Sequence, residues 1–258
     1  MELSNRVEKI RKMLFKDSNF KLALKNLFCP KRNNHIILEP HMGLGDALIN
    51  LGLIKTLARR YSHCSFYYAC LPIYYHSVAW MLQDIDNVFP LVVSSGREAR
   101  QYTQFKNAQY LSIGVTNVDI KKFDLSFYDQ HQVPFHYRWE LSDTPAGSRS
   151  EDLLRQLNPK NQKFILICRK DSSGQLHNLN LASTSNLLTI EVTPITNNIF
   201  DWVHLVLGAL EIHTIDTAFI HFVENTLHAD TRQKLFFHRI RQSPTEFTRR
   251  LPWQEIKY

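Results

Sequence analysis

The stretch HIILEPHMGLGDALINLGLIKTLARR, residues 35–60, changes its period midway. His35–Pro40 is a short apolar run of strand type, Met42–Asp46 is a turn with glycines at 43 and 45, and from Ala47 the apolar residues continue for three helical turns before Arg59 and Arg60. A strand that feeds a glycine turn and then a long apolar helix is the opening of a parallel α/β unit, in which helices cover the sheet and the strands are buried on both faces.

The same alternation continues outward. SFYYACL at 65–71 and FPLVVSS at 89–95 are strand-like, and each is followed by a helical pattern, 73–83 and 97–106; QYLSIG at 109–114 supplies a fourth strand. Residues 115–160 are less regular and carry Pro134, Pro145, Gly147 and Pro159, the composition of a crossover between domains. A second series follows: strands at 163–169, 186–192 and 211–215, helices at 199–210 and 217–227, and LFFH at 235–238 as a fourth strand. The fold class is therefore α/β with two Rossmann-like halves built on parallel sheets and a ligand cleft between them. The divisions are 1–33, a basic helical segment; 34–145, a first Rossmann-like half; and 146–258, a second.

A chain of 258 residues with 44 % hydrophobic and 21 % charged residues can bury its own core, which excludes a disordered class. Cys29, Cys64, Cys70 and Cys168 lack paired or metal-ligand spacing, so they read as buried thiols in a reducing compartment. The first dozen residues mix both charge signs, unlike a signal peptide, and no apolar run reaches the ~20 residues that span a bilayer. These features place the protein in the cytoplasm. Residues 6–28 alternate apolar positions with lysine and arginine, a helix that either packs on the domain or rests on the inner face of an anionic membrane. The net charge of +7 favours anionic partners, but it is dispersed and no aromatic-basic motif accompanies it, which argues against nucleic acid.

Three segments stand where strands end and helices begin. At Gly43-Leu44-Gly45-Asp46 the glycines let backbone approach a ligand and Asp46 is placed either as an exposed carboxylate in the cleft or as a helix cap. The spacing lacks the third glycine of the dinucleotide fingerprint and the GK[ST] of a P-loop. Thr214-Ile215-Asp216-Thr217-Ala218 ends one strand and opens a helix, with His221 one turn on; a hydroxyl, backbone N–H groups and the helix dipole suit a diphosphate there, and a plain capped helix is the alternative. Arg169, Lys170, Ser172 and Ser173 set two cations and two hydroxyls at the end of another strand. Asp84 and Asp86 form a DxD, but between a helical and a strand pattern, so they read as a turn and no metal is expected.

HMGLGDALINLGLIKTLARRY at 41–61 and IHTIDTAFIHFVE at 212–224 resemble the two motifs of the ADP-heptose:lipopolysaccharide heptosyltransferases and related GT-B glycosyltransferases, and ICRKDSS at 167–173 looks like their diphosphate loop. The family commonly has glycine where this chain has Ala218, and SFYDQHQVPFHYRW at 126–139 is not part of its signature. The resemblance implies an inverting, metal-independent transfer of a sugar from a nucleotide diphosphate to an acceptor glycan hydroxyl, with the nucleotide-sugar as co-substrate and no resident cofactor. It assigns the base role to Asp46, with His41 as the other candidate. Donor and phosphate contacts fall to Gly43, Gly45, Arg169, Lys170, Ser172, Ser173, Asp216, Thr217, Ala218 and His221. A non-catalytic nucleotide- or glycan-binding protein of the same fold is the alternative.

Overall fold

The computed structural model describes residues 34–181, 187–240 and 245–258. The basic 6–28 helix and Cys29 lie outside those residues. Two all-parallel sheets are present. In the first, β1 (His35–Pro40), β2 (Ser65–Cys70), β3 (Val88–Val92) and β4 (Gln109–Ile113) lie in the order β3-β2-β1-β4. In the second, β5 (Phe164–Cys168), β6 (Leu188–Glu191), β7 (Glu211–Thr214), β8 (Lys234–Arg239) and β9 (Gln254–Lys257) lie in the order β6-β5-β7-β8-β9. Each order reverses direction beside the first strand of its half, between β1 and β4 and between β5 and β7, and open α/β sheets hold ligands at the carboxyl edge of such switch points.

Helix α1 (Leu44–Arg60) follows β1. It is buried almost all round, including Leu48, Ile49, Leu51, Leu53, Ile54 and Leu57, because one side packs on the first sheet and another meets the second half of the chain. Full burial of each such side chain is worth about 1.5–3 kcal/mol. Helices α2 (Tyr75–Leu82) and α3 (Gly96–Lys106) continue the first half. Ile37 and Ala69 point away from α1 and pack with Val93 and Ala99 of the α3 side, so the sheet is covered on both faces. Asp84 and Asp86 are exposed in the turn before β3, at the amino edge of the sheet and away from the switch point.

The crossover is more regular than its proline content suggests. It holds α4 (Phe123–Gln130), the single turn α5 (Tyr137–Glu140) and α6 (Ser150–Leu157). Helix α4 escapes a periodicity reading because it buries Asp124 and Ser126 along with Phe127 and Tyr128. The carbonyls of Asp143 and Pro145 are held by Lys55 and Trp80 of the first half, whereas the amides of Gly147 and Arg149 bond Phe200 and Asp201 of the second. In the second half the expected helix at 199–210 is a 3-10 turn, Ile199–Trp202, followed by α7 (Val203–Gly208), and α8 (Ala218–Thr226) follows β7. Strand β9 has no counterpart in the sequence reading; its sequence, QEIK, has one apolar residue, as suits a sheet edge.

After β8 the chain returns to the first half before forming β9. Glu246 exchanges backbone hydrogen bonds with Ile120 and Phe123, and the Thr248 amide donates to Asp124. We call residues 245–251 the strap. Cys64, Cys70 and Cys168 are buried free thiols, in keeping with their spacing.

Candidate functional site

The turns after β1 and β7 meet. A Cβ on Gly45 would lie 3.1 Å from His221 Cδ2 and 3.4 Å from Ala218 Cα, so glycine lets the start of α8 approach the start of α1 without displacing the His221 ring. Asn225 of α8 donates to the Leu48 carbonyl at 3.0 Å, fixing the two helices along their lengths. The amino ends of α1 and α8, each carrying partial positive charge, therefore converge on one space. The expected cleft is thus a narrow junction: the halves are in contact at α1 and α8, and the open space lies beside that contact.

Asp46 stands at the third position of α1, not at its N-cap, which is Gly43. Its carboxylate lies beside the backbone amides of Asp46 itself and of Gly43, which favour the ionised form. A Cβ on Gly43 would lie 2.5 Å from Asp46 Oδ2, so a side chain there would displace the carboxylate. Burial pushes the Asp46 carboxyl up to about 6; Asp216 across the junction adds to the rise, and His41 and the backbone amides oppose it. The exposed His41 lies on an aromatic bed, its ring stacked over Phe127 at 6.3 Å and edge-on to Phe123 at 5.8 Å.

Thr217 is the N-cap of α8, its hydroxyl accepting from the Phe219 amide at 3.3 Å. Asp216 beside it is exposed. His221 is buried: Arg138 Nη2 lies 3.3 Å from Nδ1, and the Phe247 ring stands edge-on at 4.6 Å. Burial, then the Arg138 charge, pulls its pKa well below the usual histidine value, so the imidazole is neutral at neutral pH.

The loop after β5 is tied to itself. Asp171 Oδ1 accepts from the Ser173 amide and hydroxyl at 2.8 and 2.5 Å, and Oδ2 meets His177 Nε2 at 2.8 Å; the Ser173 and His177 contacts hold the Asp171 carboxyl below its usual range. Ser172 and Lys170 are exposed. Arg169 does not stand as a cation waiting for phosphate: its Nε and Nη2 clamp Glu191 in bidentate fashion at 3.0 Å each, which leaves Nη1 for any further partner.

Several residues at the junction lie outside the sequence motifs. Arg138 is fully buried against Asp124 and His221. A concavity of about 240 Å³ beside Asp216 is lined by Phe237, Arg239, Thr245, Glu246, Phe247 and Arg249 among others. Arg239 and Arg249 both bond Glu255 there, at 2.9 and 3.1 Å. The strap brings Phe247 and Arg249 to the site from far along the chain, and no local spacing announces such a contact. Among the described residues no group of three histidine, cysteine or carboxylate side chains is arranged to hold a metal ion, and no helix is long and apolar enough to cross a membrane.

No family model and no curated protein sequence matches the chain. Among solved structures, it is similar to E. coli ADP-heptose lps heptosyltransferase II, with 11% identity and a TM-score of 0.49 over 86% of this chain and 89% of that one.

Proposed function

We propose that this protein is an inverting, metal-independent glycosyltransferase. It would move a sugar from a nucleotide diphosphate donor to a hydroxyl of a glycan or lipid-linked glycan, working in the cytoplasm or at the inner face of a membrane. The observation that carries this reading is the carboxyl of Asp46, pushed up to about 6 where two helix amino ends converge and opposite Asp216 and Thr217. A base with such a pKa is ionised at neutral pH yet basic enough to take a proton, and helix amino ends suit a diphosphate. The sequence resemblance at 41–61 and 212–224 supports the same reading.

In this mechanism the acceptor oxygen forms a bond to the anomeric carbon while its proton passes to Asp46. The bond from that carbon to the diphosphate oxygen breaks, and the nucleoside diphosphate leaves with the bonding pair. The backbone N–H groups at the start of α8, the Thr217 hydroxyl, Lys170, the loop serines and the remaining Arg169 amino group are assigned to the charge that develops on the leaving group, a preorganised electrostatic role. One base and no covalent nucleophile give inversion.

The test is nucleoside diphosphate release from nucleotide sugars in the presence of acceptor glycans, with and without EDTA. Asp46→Asn should retain donor binding and lose turnover by ~10²-fold or more, since an amide cannot take the proton. Full turnover in that variant defeats the mechanism, and His41→Gln assayed beside it decides between the two candidate bases. Activity abolished by EDTA and restored by Mg²⁺ or Mn²⁺ would overturn metal independence.

A further inference from the structure

Arg138 comes from the crossover, yet its guanidinium is fully buried at the junction of the two halves. It pairs with Asp124 of α4, lies 4.1 Å over the Trp139 ring, and sends Nη1 to the Thr248 carbonyl of the strap at 3.3 Å. Its other amino group, Nη2, is 3.3 Å from His221 Nδ1. An arginine has five donors and no acceptor, so this contact has one polarity only: the guanidinium donates and Nδ1 accepts. A neutral imidazole whose Nδ1 accepts must carry its proton on Nε2. The Cδ2 that neighbours Nε2 is the atom closest to Gly45, at the turn that holds Asp46. The charged and titratable groups on the elements packed about the ring are Arg138 and Asp124 from the crossover, Glu224 on its own helix, Arg250 of the strap, and Asp46 and Asp216 at the junction.

We propose that Arg138 is a positioning residue that fixes His221 as the Nε2–H tautomer, so that His221 offers a neutral N–H donor to an oxygen of the donor diphosphate. The assignment of the ligand rests on the glycosyltransferase reading; the assignment of the tautomer does not. Arg138 does this from the opposite edge of the ring, without touching the ligand. The cation behind the ring also opposes imidazolium formation, so the donor stays a donor of constant charge while Asp46 titrates.

The experiment is a ring-nitrogen NMR measurement on the full chain labelled with 15N-histidine, with His221 assigned by its disappearance in His221→Gln. The expected spectrum has a protonated Nε2 and an unprotonated Nδ1, unchanged between about pH 6 and pH 8, the range across which a histidine of the usual ~6.5 would titrate. A proton on Nδ1, or a ring that titrates in that range, overturns the proposal. In Arg138→Met the ring should become a mixture of tautomers. The paired change Asp124→Leu with Arg138→Met, which leaves no buried charge without its partner, serves if the single variant does not fold; in either variant a ring that stays wholly Nε2–H overturns the positioning role.

ADP, GDP, UDP and CDP are then screened by thermal shift. The one that binds should move the Nε2–H signal, and its affinity should fall roughly five- to tenfold in the Arg138 variant, the effect of one neutral hydrogen bond. A diphosphate that binds without moving that signal overturns the proposal and leaves the transferase reading standing. A protein with the expected tautomer that binds none of the four overturns the transferase reading, and with it the ligand named here.

Discussion

Asp46 serves two ends that stabilise opposite protonation states. At the start of α1, His41 and the backbone amides of Asp46 and Gly43 favour the carboxylate, while burial and Asp216 favour the acid. The net result is a rise from the usual 3.8 to about 6, so the folded state binds this proton more tightly than the unfolded state. The stability contributed by that proton is complete below pH 3.8 and is lost as pH rises through 6. At pH 7 the ionised side chain is therefore a burden on the fold. Asp46→Asn removes the buried charge and should raise the melting temperature at pH 7 while lowering turnover ~10²-fold or more; a variant melting below the parent would show that the carboxylate's contacts with the helix start outweigh its burial. For the parent, kcat/KM should fall about tenfold per unit below pH 6, where the base is protonated. Gly45 is constrained from across the junction: Gly45→Val should cost about 1–3 kcal/mol in denaturant unfolding, because its branched side chain meets His221 and Ala218.

Among the elements, α1 shows where sequence reading succeeds and where it stops. Its apolar run from Ala47 to Ile54 is legible because burial on several sides removes the polar face. What the run does not disclose is that Tyr128 enters the helix from α4, its hydroxyl accepting from the Leu53 amide at 3.2 Å and donating to the Ile49 carbonyl at 2.8 Å. Tyr128→Phe removes this bridge and should cost about 1–3 kcal/mol, measured by denaturant unfolding, unless the helix closes its own bond across the gap. The strands and the turns at 43–46 and 214–218 are readable since each is a local signal. The crossover helices are not: α4 buries an aspartate against an arginine supplied from α5, and only the folded partner makes that position tolerable for a charge. The Arg169–Glu191 clamp is hidden for the same reason, joining the ends of β5 and β6 across 22 residues. Phe247 and Arg249 belong to the site through the strap, whose pairing with α4 depends on the whole second half being in place.

At the scale of the molecule, the halves are docked through buried charge as well as apolar surface. Between the halves, Asp124 accepts from the Thr248 amide at 2.9 Å while pairing with Arg138; within the second half, Glu224 of α8 anchors the strap by accepting from the Arg250 and Leu251 amides and from Trp253 Nε1 at 2.7 Å. Asp124→Ala leaves Arg138 buried without its partner and should cost about 3–5 kcal/mol, and the Asp124→Leu, Arg138→Met pair should cost less than the sum of the single changes. The second sheet adds a pH dependence. On its face away from α8, His213 Nδ1 meets His238 Nε2 at 3.0 Å, and His238 Nδ1 meets the Tyr258 hydroxyl at 2.8 Å. Burial pulls His238 down to about 4, as it does His131 beneath the first sheet. Both bind protons more readily when unfolded, so stability holds above their unfolded pKa near 6.5 and declines as pH falls toward 4. Each removes on the order of 2 kcal/mol by pH 5, partly offset by Asp46, and denaturant midpoints at pH 7 and pH 5 should differ accordingly. The contact between α1 and α8 also orders events during folding. Asn225 and Leu48 are 177 residues apart, so the first sheet, α4 and α5 can close on α1 from within the first half, while the face of α1 that meets α8 must wait for the second half. A chain caught in that interval would hold an apolar strip against water, and misassociation between chains would compete with completion of the native fold.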